Sequence, residues 1–392
     1  MVREKLLQSI EILNELDVDC WMTLDQESGV LSDPVMDFIV GTGVTWLSFF
    51  LVFSNGETHA IVGNLDKEKF QRLDLFRHIH AYRDSPREIL RRILDENKPA
   101  SIALNYSLDS AAADGLTHGK FLKLEQLLSG TPYSGKWVSA EAIIAALRGR
   151  KSAEEIRRIR KAIDITLEIY DQVTRQVRPG WTERQVANLI TRARLERGLE
   201  PAWDEEHCPS VFAGPQETGA HSGPTDRLLE RGQVFNTDFG VRVDGYCSDL
   251  QRTWYILEEK ETEAPAIVKH GFETIVGSIN AAFECIKPGA RGVDIDTVAR
   301  EYITSRGYGE YPHALGHQVG RDAHDGGALL APAWERYGDL PFAALEAGQV
   351  FTIEPRLYLK DHGVVTIEEM IQVTADGARW LSNPQTRLFL IS

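Results

Sequence analysis

Cysteine is scarce and scattered. The 392 residues hold four (Cys20, Cys208, Cys247 and Cys285), with no CxxC pair among them. That spacing excludes a disulfide framework and a zinc ribbon, and it fits a reducing cytoplasm. Positive charge is also short. Lys and Arg total 43 against 58 Asp and Glu, a formal charge of −15. With no basic surplus to neutralise phosphates, neither nucleic acid nor an anionic membrane surface is an expected partner. Long apolar runs are missing. The longest, residues 46–53, falls far below the ~18 residues of a membrane-spanning helix and suits a buried strand. The opening stretch, MVREKLLQSIEILNELDVD, is charged and amphipathic, unlike the apolar core of a secretory signal.

What remains is an ordinary globular composition, 43% hydrophobic and 26% charged, long enough for two or three domains. Residues 1–147 read as an α/β domain. Leu6, Ile10, Leu13 and Leu16 have helical spacing. A short strand is expected at 20–24, then an apolar strand ending at Phe53, a turn at Ser54-Asn55-Gly56 and a returning strand at 57–63. Helices are expected at 86–97 and 119–129, with a strand at 101–105 between them. A second domain, 148–392, opens with a capping-box pattern, Ser152 to Glu155. Ile156, Ile159, Ile163, Leu167, Tyr170, Val173 and Val177 then step by three and four along one long amphipathic helix. Arg178-Pro179-Gly180 stops it.

The second domain repeats itself. Arg178-Pro-Gly through Gly198 resembles Lys287-Pro-Gly through Gly307, with the same spacing from proline to final glycine in both copies. Gly232-Gln-Val-Phe-Asn-Thr-Asp238 matches Gly348-Gln-Val-Phe-Thr-Ile-Glu354, at a slightly larger offset that implies a short insertion in the second copy. Two matches in the same order imply two similar α/β halves packed as pseudo-symmetric mates. Each half then places one carboxylate after an apolar strand, and Asp238 and Glu354 converge at the seam.

Further acids follow each marker. Asp249 comes shortly after Asp238, and Glu368 shortly after Glu354. In an antiparallel hairpin with 240–246 as the connection, Asp238 and Asp249 sit near each other across strands. Carboxylates are depleted from strands and rarely buried unless paired. Three of the chain's 11 histidines, His313, His317 and His324, fall in one short segment. His221 lies upstream of Asp238 in ETGAHSGPTD. An oxygen-rich set of this kind suits two divalent ions sharing carboxylates, with Mn²⁺ ranked first and Zn²⁺ or Co²⁺ as alternatives. Plainer readings exist for each residue alone. One strand acid is commonly a turn or edge residue, and His313 and His317 at i, i+4 could be one helix face. Asp244 reads as a turn residue, and Glu369 as a solvent neighbour or a support for Glu368. Both repeats contributing acids in matching places argues against the plain readings for the set.

Asp238, the step to Asp249, His317 within HALGHQVGRDAHD, Glu354 in TIEP and Glu368 in TIEE resemble the five metal ligands of the pita-bread metallopeptidases. That family includes methionine aminopeptidase, aminopeptidase P and prolidase. KSAEEIRRIRKA resembles the opening helix of its catalytic domain. The N-terminal domain, with SDPVMDFIVGTG, resembles a creatinase-type N-terminal domain, which favours the aminopeptidase P/prolidase branch. The resemblance implies an α/β (α+β) chain, a creatinase-like domain followed by a pseudo-two-fold pita-bread domain. It implies Asp249 and Glu368 shared between two ions, Asp238 on one ion, and His317 with Glu354 on the other. It gives Glu354 a second role as proton shuttle toward the attacking water. His221 would meet the scissile nitrogen and the tetrahedral intermediate, His324 would hold the substrate carbonyl, and His313 would form a pocket wall. The implied activity is hydrolysis of an Xaa-Pro bond in a small peptide by a cytoplasmic homodimer. One departure stands out. Many relatives carry arginine two residues before the last ligand, where this chain has Thr366, and Arg356 replaces a frequent glycine. Arg356 is therefore a candidate substitute charge at the substrate end. Alternatives are a metal-dependent hydrolase or lyase acting on a non-peptide molecule, or a non-catalytic binding paralogue.

Overall fold

The computed structural model describes residues 1–215 and 223–392. The chain divides into two compact units, Met1–Arg148 and Gly149–Ser392.

The first unit is a six-stranded sheet sandwiched by helices. Its strands are β1 (Cys20–Asp25), β2 (Ser48–Phe53), β3 (Thr58–Gly63), β4 (His78–Tyr82), β5 (Ile102–Leu104) and β6 (Trp137–Ser139), in the spatial order β4-β3-β2-β1-β5-β6. Neighbours β1–β2–β3 run antiparallel, as the Asn55-Gly56 turn requires, whereas β4, β5 and β6 join in parallel. Successive residues of a strand face opposite sides. Trp21, Phe50 and Val52 therefore pack under helices Val2–Glu15 and Glu141–Gly149. Met22, Phe49 and Leu51 pack on the other face against helices Arg87–Asn97 and His118–Leu128. Strand β4 escapes the sequence pattern because it is an edge strand of sequence HIHAY, with only Tyr82 buried.

The second unit carries the repeat. Helix Ala153–Gln176 begins with the expected box: the Ser152 N–H donates to Glu155 Oε2 at 2.7 Å, and the Glu155 N–H donates to Ser152 Oγ. Helices Glu183–Leu195 and Gly292–Thr304 have equal length and occupy matching places in the two halves. In the first half, β8 (Ser210–Ala213), β9 (Val234–Phe239) and β12 (Leu250–Ile256) form a sheet with the C-terminal β18 (Phe389–Ile391), while β7 (Glu200–Pro201), β10 (Val241–Val243) and β11 (Tyr246–Cys247) form a smaller one. In the second half, β13 (Val350–Ile353) pairs with β16 (Glu369–Val373), which pairs with β17 (Ala378–Trp380), and β14 (Arg356–Leu359) pairs with β15 (Gly363–Thr366). The marker glycines Gly232 and Gly348 both sit in the left-handed region, at φ +79° and +95°. That conformation is unfavourable for residues with a Cβ, so both copies retain glycine at the turn into the strand.

Ser152→Ala removes the side-chain half of the capping box. It is expected to lower unfolding free energy by about 1 kcal/mol, read from the midpoint of a urea titration at unchanged slope.

Candidate metal centre

Each half builds its acids on a hairpin, with different registers. In the first half Asp238 stands opposite Gln251 on β12 and opposite Ser210 on β8. Asp249 lies one residue before β12, so the two acids are diagonal neighbours. The connection between them is itself the small β10–β11 hairpin, turning at Asp244, whose φ is +50°. Asp244 pairs at the surface with Lys161, as expected of a turn residue. In the second half one register runs through both ladders, pairing Ile353 with Glu369 and Arg356 with Thr366. It sets Glu354 directly opposite Glu368, with Pro355 interrupting the strand.

The halves meet at β12. The Glu368 N–H donates to the Gln251 carbonyl at 3.2 Å, bridging the two hairpins. The Thr253 hydroxyl donates to the Thr366 carbonyl at 2.6 Å. Asp249 therefore reaches the carboxyls of both Asp238 and Glu368, within hydrogen-bonding range of each.

His317 arrives from a third segment. Residues 315–318 run extended beside β13. The Thr352 N–H donates to the His317 carbonyl at 2.9 Å, and the Glu354 N–H donates to the Leu315 carbonyl at 2.7 Å. Gly316 allows this approach, since a Cβ there would lie 2.0 Å from the Thr352 carbonyl oxygen. His313 and His317 are thus not one helix face. The His317 Nδ1–H donates to the Gln318 carbonyl at 3.3 Å. Its Nε2 faces Glu354 Oε1 at 3.4 Å, Asp249 Oδ2 at 3.7 Å and Glu368 Oε1 at 3.9 Å. Burial holds the ring's pKa down to about 3, so Nε2 presents a lone pair, the form that ligates metal.

The electrostatics are adverse without a cation. Burial pushes Asp238 up to about 7. Burial, then repulsion from Asp238 and Glu354, lifts Asp249 well above the carboxylate range, and Glu354 and Glu368 rise for the same reasons. Asp238 Oδ1 and Glu368 Oε2 are buried with no hydrogen-bond partner among the described residues. Asp249, His317 and Glu368 each offer a ligand atom, all within 4.8 Å of one another. Orphaned carboxylate oxygens beside a grouped imidazole and carboxylates fit divalent cations.

The same residues line a cavity of about 1070 Å³, with His313, His324, Arg356 and Thr366 on its walls. The His324 ring packs edge-on against His317 at 4.2 Å. The segment between His324 and Glu354 also lines it, through Gly326, Leu329, Tyr337 and Leu340. His221 lies outside the described residues.

Sequence reasoning missed the supports. Gln251 Nε2 donates to Glu354 Oε2 at 3.2 Å. Glu369, read as a solvent neighbour or a support for Glu368, is 1% exposed and pairs with the buried Arg252. Arg252 also donates to the Glu368 carbonyl at 3.0 Å. The signal was the doubled acid in TIEEM: adjacent strand residues face opposite sides, so one acid must find its counter-charge away from the ions. Asp325 meets Lys151 at 2.8 Å in a buried pair that ties the His324 segment to the helix start.

A model of metallopeptidase family M24 matches residues 157–375. The chain belongs to metallopeptidase family M24. Uncharacterized peptidase MW1651 of Staphylococcus aureus (strain MW2) is 32% identical over 268 residues, spanning 68% of this chain and 71% of that protein. Among solved structures, an Xaa-Pro dipeptidase from Bacillus anthracis covers 100% of both chains with a TM-score of 0.75 at 21% identity. An X-Pro aminopeptidase from Thermotoga maritima MSB8 covers 98% of this chain and 99% of its own, with a TM-score of 0.72 at 23% identity. These likenesses give the fold, a creatinase-like α/β domain followed by a pita-bread catalytic domain. Metal dependence comes with the family.

Two outcomes are expected. A carboxylate whose folded pKa is raised stabilises the ion-free protein below its unfolded pKa, and that contribution is lost as pH rises through the folded value. For Asp238 the window runs from about 4 to about 7. Mn²⁺ should therefore raise the melting temperature more at pH 8 than at pH 5.5, by differential scanning fluorimetry. Asp249→Ala should release at least one ion per chain by plasma mass spectrometry, and full metal content in this variant would contradict the site.

Proposed function

We propose that the chain is a two-metal exopeptidase that hydrolyses the Xaa-Pro bond of dipeptides or of peptide N-termini. The observation carrying this reading is the convergence of Asp238, Asp249, His317, Glu354 and Glu368, drawn from both repeats, on one cavity wall. Bound there, two divalent ions supply Lewis acidity toward a carbonyl and lower the pKa of water. Asp249 and Glu368 are assigned to both ions, Asp238 to one, and His317 with Glu354 to the other.

The chain's own residues do the rest. Glu354 keeps 17% of its side chain exposed to the cavity. It is assigned to take the proton of the attacking water and pass it toward the leaving amine. Gln251 holds its Oε2, while Oε1 faces His317 Nε2. His324, braced against His317, is assigned to hold the substrate carbonyl, and His313 to bound the pocket. His221 is assigned from the family resemblance to the scissile nitrogen. The four cysteines are free, three of them buried, which supports a reducing cytoplasmic setting. No helix of the described residues is long and apolar enough to cross a membrane. The resemblance also brings a homodimer.

Arg356 is assigned to the substrate's anionic end. Thr366 occupies the position where relatives carry arginine, and its hydroxyl donates to Gln251 at 3.1 Å or to the Pro355 carbonyl. Arg356 is the cross-strand partner of Thr366, and both line the cavity. Directly opposed residues of an antiparallel ladder project from the same face. A guanidinium from the neighbouring strand therefore supports the same charge in the same region.

A Mn²⁺-loaded panel of Xaa-Pro dipeptides, Xaa-Pro-Xaa peptides and proline-free controls tests the reading. Proline-dependent cleavage is expected, and a loaded protein inert toward the whole panel would point to the non-peptide alternative. Arg356→Ala should raise the dipeptide KM about tenfold with a smaller change in kcat, the order expected for one lost charge-assisted contact. An unchanged KM removes Arg356 from the site.

A further inference from the structure

Three more of the chain's 11 histidines gather on the sheet of the first unit. His59 lies on β3, and His78 and His80 lie on the edge strand β4. The parallel register pairs His59 with His78, and His80, two residues on, shares that face. The His59 ring stacks on His78 at 4.7 Å and on His80 at 5.5 Å. Glu57, two residues before His59, brings Oε2 to 2.8 Å from His78 Nε2, while Arg77 takes its other oxygen at 3.2 Å.

His59 is the informative member. It is 5% exposed. Its Nε2 is buried and has no hydrogen-bond partner among the described residues. Its Nδ1 lies 3.2 Å from His80 Nε2. A buried nitrogen of this kind is costly in either tautomer. With Nδ1–H donated to His80, however, Nε2 keeps an unshared lone pair, on a ring grouped with Glu57 and His78. That is the arrangement of a metal-ligating histidine, whose other nitrogen is held by a neighbour that fixes tautomer and orientation. Burial, then the neighbouring His78 and His80, keeps the His59 pKa down to about 4, so the ring is neutral.

We propose that Glu57, His59 and His78 bind one divalent ion of the zinc class, with His80 orienting His59. Ligand atoms of the three lie within 4.8 Å of one another. A tetrahedral zinc shell with bonds of ~2.0–2.2 Å sets ligand atoms about 3.4 Å apart. Rotation of Glu57 and His78, at 33% and 49% side-chain exposure, closes the difference and leaves room for water. Two imidazoles and one carboxylate favour Zn²⁺ or Cu²⁺ over Mn²⁺, the reverse of the preference at the carboxylate-rich centre. The ion would clamp edge strand β4 to β3. The proposal does not depend on the peptidase assignment.

The test uses the full chain saturated with Mn²⁺ and then dialysed against micromolar Zn²⁺. Exchange at the Mn²⁺ centre is common to every protein compared, so it cancels in the difference. Wild type is expected to hold one more Zn²⁺ per chain than His78→Ala, and one more than Glu57→Gln. His78 is exposed and Glu57 half-buried, and melting temperatures equal to wild type in chelator verify that the variants fold. Equal Zn²⁺ content in wild type and both variants overturns the site.

Discussion

The crowding of four carboxylates, Asp249 and Glu368 buried and Asp238 and Glu354 half-buried on the cavity wall, is the constraint on which the catalytic unit depends. All four are driven toward protonation by burial, and Asp249, Glu354 and Glu368 also by repulsion from neighbouring acids. No folding advantage follows from gathering like charges in a low-dielectric place. Packing tolerates them because the large core of this unit does not rest on them. The centre makes physical sense with divalent cations in place, which turn the repulsion into affinity. The supporting contacts agree. Arg252 is committed to Glu369 on the far side of the strand, and Gln251 fixes Glu354 without adding charge.

Duplication produced this convergence but not a symmetric site. Two helices of equal length in matching places and two Gly-Gln-Val-Phe strand starts mark the halves. In one half the acids are diagonal across β9 and β12, and in the other they are opposite across the β13–β16 ladder. Among the described residues the second half brings His317 to the acids, because Gly316 lets residues 315–318 approach β13. Among the described ligand candidates the first half offers Asp238 and Asp249, and the second offers Glu354, Glu368 and the imidazole of His317. The same register sets Arg356 across from Thr366.

Much of this was legible in the sequence. The four acidic ligand candidates announced themselves as acids in apolar strands repeated at matching places, His317 as one of three histidines in a short segment, and the capping box at Ser152 and the turn at Asn55-Gly56 are local signals that packing did not override. The register difference was not legible, because the spacings from Asp238 to Asp249 and from Glu354 to Glu368 do not reveal that a small hairpin fills one connection and Pro355 breaks one strand. The buried Arg252–Glu369 pair was missed because charge in a sequence reads as surface until a partner from another strand is known. Strand β4 was missed because an edge strand need not alternate apolar and polar residues, and its histidines stand where a core strand would carry aliphatics.

The central claim is that side chains from both repeats hold two divalent ions at one seam. Anomalous diffraction from a Mn²⁺-soaked crystal of the full chain tests it directly. The account predicts two manganese peaks in the catalytic unit, both contacted by Asp249 and Glu368, with Asp238 on one and His317 and Glu354 on the other. Absence of manganese there under saturating Mn²⁺, or a single ion held without Asp249, would contradict it.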